Sequence, residues 1–139
     1  MEPDERLFML SLAGAVGKSP RRLKRFVNTY RILKGSIDAL EREKFVVDGG
    51  KRGEYRSAMI LRAMVTGAPQ TAMGIFEHLC DPNDSTSFEQ LTEAPRKDLA
   101  DGPYITAACE VFKAAGLKVE ELRNWVPQIA RFSFRAGRG

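Results

Sequence analysis

Arg21, Arg22, Lys24, Arg25, Asn28 and Arg31 are the side chains whose types and spacing most clearly suit a chemical task. Wound at 100° per residue, Arg21, Lys24, Arg25, Asn28 and Arg31 share one face of a helix, and Arg22 joins Arg21 in its first turn. Arginine forks and an ammonium gathered on one face grip anions, and they fit phosphate and carboxylate alike. Segment 20–34 holds six cations and no acid. A solvated face usually mixes signs and gains from opposite charges four positions apart, whereas Arg21 and Arg25 are like-charged neighbours at that spacing. The face therefore fits a partner that brings the negative charge: a nucleotide phosphate, a nucleic-acid backbone or an acidic protein surface.

The helix that must carry these residues is well marked. Ser19 is placed to cap the first free N–H groups, and Pro20 suits the first helical position, where a missing donor costs nothing. Arg21 and Arg22 then put cations in the first turn, where the helix dipole is positive and acids are favoured, which again asks for an anion from outside. Leu23, Phe26, Val27, Tyr30 and Leu33 form the opposite stripe and predict burial on that side alone.

The run SPRRLKRFVNTYRILK, preceded by LFMLSLAGAVGK, resembles the segment that follows the nucleotide-binding core in the KAP family of P-loop NTPases, where a PR-x-x-KRF-x-N helix recurs. The resemblance is sharp over about residues 5–34, and the late Trp125-Val126-Pro127 and Arg131-Phe132-Ser133-Phe134-Arg135 fit the tail of some bacterial members. It implies the C-terminal helical region of such a protein without its nucleotide-binding core. That region would be a lid and sensor, coupling nucleotide state to movement, with its basic helix facing nucleotide phosphates or a partner. The implied partner is the NTPase core of the same parent, and ATP and magnesium are implied for that parent only. In that setting Arg21 or Arg25 is the expected phosphate contact.

The chain itself holds no Walker A loop. Gly14-Ala15-Val16-Gly17-Lys18-Ser19 ends in the letters of one, but only Ala15 and Val16 separate its glycines, too few to wrap a phosphate. The preceding Leu7 to Ala13 favours helix over the strand that such a loop follows. His78 is the single histidine, so Ser-His-Asp, Cys-His and multi-histidine metal arrangements each lack parts; it reads as a helix-end residue. Glu41 with Glu43, and Glu120 with Glu121, read as solvated helix faces, and Cys80 and Cys109 as two reduced thiols. No catalytic residue, metal site or cofactor is expected in this chain, which by itself does not read as an enzyme. Arg131, Phe132, Phe134 and Arg135 interleave in a glycine-rich tail. Taken as extended, they set both rings on one side and both arginines on the other, a docking strip whose rings could also stack on nucleobases.

With 139 residues, 43% hydrophobic and 29% charged, the chain is one globular domain or a piece of one. Its net charge of +4 is local: residues 1–35 carry eight cations against three acids, while 81–101 carries six acids against Arg96 and Lys97. The early apolar run from Leu7 to Val16 is too short and too interrupted to span a membrane or to serve as a signal peptide. No membrane contact by this segment, and a cytoplasmic setting, are the expectations. The pattern predicts an all-α, compact bundle of six or seven short helices, including 37–44, 54–66, 70–79, 103–115, 119–125 and 127–132. Between them fall a helical turn at 87–91, an irregular acidic loop over 92–102 and a short β-prone run at 45–47 closed by Asp48-Gly49-Gly50. Tyr55, Ala58, Met59, Arg62 and Val65 mark 54–66 as mostly buried. The domain reading is one helical domain over 1–130, a lid-like helix pair at 1–34 and a helical remainder at 35–130, followed by a basic Phe/Arg tail at 131–139.

Overall fold

A computed structural model describes the backbone of residues 3–17, 19–37, 53–81, 83–84 and 86–136, with side chains as far as 130. Among these residues the chain is all-helical. Its elements are α1 (Pro3–Ser11), α2 (Ala13–Val16), α3 (Pro20–Gly35), α4 (Tyr55–Gly67) and α5 (Pro69–Cys80), then α6 (Phe88–Leu91), α7 (Glu93–Arg96), α8 (Gly102–Ala114) and α9 (Val119–Ala136). The expected helix over 37–44 (beyond its first residue), the β-prone run at 45–47 and its turn lie outside the described residues, as does Lys18.

Helix α4 is the centre of the fold. Eleven of its thirteen residues are buried, the condition of a helix that is apolar nearly all round. Helices α1, α2, α3, α5, α8 and α9 all pack on it. The fit with α2 is close: a Cβ added to Gly67 would stand 1.9 Å from the Ala15 carbonyl oxygen. Helix α3 buries Phe26, Tyr30 and Leu33 and half-buries Leu23 and Val27, as its stripe predicts.

Three local expectations are corrected. Ser19 is extended (φ −70°, ψ 127°) and accepts the Leu23 N–H through its carbonyl, but its side chain makes no cap hydrogen bond. Pro20 alone marks the helix start. The two helices expected on either side of Pro127 are one, because Leu122, Trp125, Val126 and Ile129 form a buried stripe that runs past the proline and rewards continuity. Within the expected loop over 92–102, residues Glu93–Arg96 form a helical turn. Buried Thr92 joins it to α6 by donating to the Phe88 carbonyl oxygen at 2.9 Å, and Pro95 sits early enough that its missing N–H breaks nothing.

The tail is corrected as well. Residues 131–136 continue α9 as helix, so Arg131, Phe132, Phe134 and Arg135 do not stand in an extended segment with period-two faces.

Candidate functional site

The start of α3 is where the basic residues and a specialised backbone meet. Gly17 has φ 107°, a conformation that L side chains rarely adopt, and it turns the chain from α2 toward α3. A Cβ there would lie 3.3 Å from Cδ and Nη1 of Arg22 and 3.6 Å from the ring of Tyr104. The bare glycine lets the Arg22 guanidinium lie against that ring, 5.7 Å from its centroid, a cation–π contact worth about 0.5–1 kcal/mol at an exposed site. Tyr104 belongs to the first turn of α8, so this contact ties the α3 start to a second helix.

All six predicted contact residues, Arg21, Arg22, Lys24, Arg25, Asn28 and Arg31, are exposed. None of the five cations among them forms an ion pair with a described residue. Lys34, at the other end of α3, behaves differently: its ammonium lies 2.7 Å from the carboxylate of Glu5. The helix thus turns one cation inward and five outward.

Sequence reasoning missed what lies beneath this face. Glu5 is fully buried, accepting a hydrogen bond from the Tyr30 hydroxyl as well as from Lys34. Burial first, then the hydrogen bond to Glu5 and its charge, raise the Tyr30 phenol far above its ordinary range, so it stays a donor. In the sequence Glu5 looks like an acid at a helix start; the available signal was Lys34 four residues after Tyr30, one turn along the apolar stripe. Arg62 of α4 is also buried and donates Nε–H to the Thr29 hydroxyl at 2.8 Å. Thr29 itself donates back to the Arg25 carbonyl oxygen at 2.7 Å. Burial first and the charge of Arg25 second push the Arg62 guanidinium down to about 10. Of the exposed cations, Arg25 therefore stands closest in effect to the buried guanidinium, which its charge opposes.

The remaining candidates resolve simply. His78 lies in the last turn of α5 with Nδ1 2.9 Å from Asp84 Oδ2, a helix-end residue as read. Cys80 is exposed, Cys109 half-buried, and both are free thiols. Gly14 lies within α2, and the residues before it are helix α1 and a turn at Leu12, with no strand to aim a phosphate loop. Among the described residues no three His, Cys, Asp or Glu side chains gather as metal ligands, and no helix is long and apolar enough to cross a membrane. Arg131, Phe132, Phe134 and Arg135 have described backbone only. Comparison with protein-family models, with curated proteins and with solved structures gives no match.

Proposed function

We propose that this chain is a non-catalytic helical module that presents the outer face of α3 to phosphates, in the manner of the lid of a KAP-type NTPase. Its partner is the nucleotide-bound core of the same parent protein. The observation that carries this reading is the set of five exposed cations on α3 that form no ion pair with a described residue, kept together although Arg21 and Arg25 repel each other one turn apart. A first turn holding Arg21 and Arg22, with no side chain from Ser19 over its N–H groups, favours an anion at that end. Loss of a γ-phosphate would remove charge from that contact and release the helix, the sense in which the module couples.

One observation favours a second reading. The cations run from Arg21 to Arg31, about 15 Å along the helix axis at 1.5 Å per residue, which also suits a nucleic-acid backbone. A titration of the isotope-labelled chain, followed by amide chemical shifts, tests both. Under the lid reading ATP moves the amides of 19–25 more than ADP does, and Arg21→Ala with Arg25→Ala removes the response. Under the nucleic-acid reading a short oligonucleotide moves amides along the whole face, with a steep salt dependence that Arg31→Gln reduces by a slope of about one. No response to any of these polyanions at low salt overturns both.

A further inference from the structure

Helices α6 and α7 on one side and α8 on the other enclose a cleft of about 300 Å³, at the small end of the range for small-molecule sites. Its apolar wall is a pair of rings, Phe88 and Phe112, with centroids 4.6 Å apart. On its floor the Cys109 thiol donates to the Thr92 hydroxyl at 3.2 Å, so these two polar groups satisfy each other. Burial pushes the thiol up, which keeps the floor uncharged at neutral pH.

The rim carries four charges of two kinds. Glu89 and Lys113 answer each other at 3.5 Å. Arg96 and Glu110 line the same cleft and have no ion-pair partner among the described residues. Arg96 is nevertheless held in place. Its Nε donates to the Thr92 carbonyl oxygen at 3.3 Å and its Nη2 to the Glu89 carbonyl oxygen at 3.2 Å. Two backbone anchors fix the guanidinium and leave Nη1 to a ligand, the preorganisation that lowers the entropy lost on binding.

We propose that this cleft binds a small zwitterion with an apolar body, of the class of a free apolar α-amino acid. Its carboxylate meets Arg96, its ammonium meets Glu110, and its side chain lies on Phe88 and Phe112. The rim sums to zero charge with two carboxylates in it, which disfavours a dianion such as phosphate. A wholly apolar guest would strip water from Arg96 and Glu110 and return nothing. A singly charged guest answers only one of them. A residue within a peptide cannot offer both charges, which narrows the class to the free amino acid.

Cys109 supplies the readout. In a Cys80→Ser background it is the remaining thiol, and its alkylation by iodoacetamide reports access to the cleft floor. L-phenylalanine is expected to slow that reaction saturably and to shift the amides of Thr92 and Cys109. Phenylpropanoate, without the amine, and phenethylamine, without the carboxylate, are each expected to bind about tenfold more weakly, as the loss of one charge-assisted hydrogen bond requires. Glu110→Gln, on an exposed position of α8, is expected to weaken L-phenylalanine by a similar factor and, by removing a rim carboxylate, not to weaken the anionic phenylpropanoate. Absence of saturable protection by L-phenylalanine, or equal protection by all three probes, overturns the proposal.

Discussion

Asp84 ties three segments together. Its Oδ1 accepts the Thr86 N–H at 2.9 Å, its Oδ2 lies 2.9 Å from His78 Nδ1, and its carbonyl oxygen accepts from Arg123 Nη2 at 2.9 Å. The hydrogen bonds from Thr86 first, and His78 after them, hold the carboxyl down at about 2. Because the folded chain binds this proton less readily than the unfolded chain, the carboxylate contributes stability above about pH 4, and that contribution is lost as pH falls toward 2. Acid unfolding followed by far-UV circular dichroism should therefore show a loss across that interval, and Asp84→Asn should remove that component of it. Tyr30→Phe tests the buried acid. It deletes one hydrogen bond to a charged acceptor and should lower stability by about 1.5–3 kcal/mol in urea unfolding, with an unchanged slope. Neither Asp84 nor Glu5 was legible as a hub, because local sequence shows an acid near a helix end and says nothing of the distant donors it meets.

At the scale of elements, periodicity foretold most of the helices and which side of them is buried, since both follow from apolar spacing within one segment. Junctions were less legible. Pro127 divides α9 in any local reading, whereas Leu122 and Val126 before it and Ile129 after it bury against the same core. Tertiary burial outweighs one missing hydrogen bond. Because Pro127 is exposed, Pro127→Ala should restore that bond and raise stability, by up to about 3 kcal/mol if no strain replaces it. A lower urea midpoint would mean that the packing of α9 on α4 depends on the proline. Glycines separate in the same way. Gly67→Ala would drive a methyl into the Ala15 backbone and force α2 off α4, whereas Gly74→Ala, at an exposed position of α5, meets nothing within 4 Å and should stabilise by about 0.5–1 kcal/mol. Thermal melts of the two variants should move in opposite directions.

Across the whole molecule the core and the charged surface make opposite demands. Helix α4 can be enclosed on every side only if its neighbours turn their polar faces outward, and α3 does so with a face that gathers cations alone. That concentration was legible, because it depends on one helix and its period. The Phe88–Phe112 cleft was not, because it exists only where α6 and α7 meet α8. Helix α8 is common to both sites, reaching Arg22 through Tyr104 at one end and lining the cleft along the rest. If the α3 face served only solubility, scattered charges of both signs would do as well without mutual repulsion. Relieving that repulsion should help the fold and harm binding. In the Arg21→Gln, Arg25→Gln, Arg31→Gln triple variant, the like-charged Arg21/Arg25 pair is gone, worth about 0.2–0.5 kcal/mol, and buried Arg62 loses the charge that lies over it. The variant should therefore melt at or above the temperature of the parent chain while eluting earlier from a heparin column. A lower melting temperature would mean that the cations hold the fold together, and unchanged elution would mean that the face does not carry the affinity for polyanions.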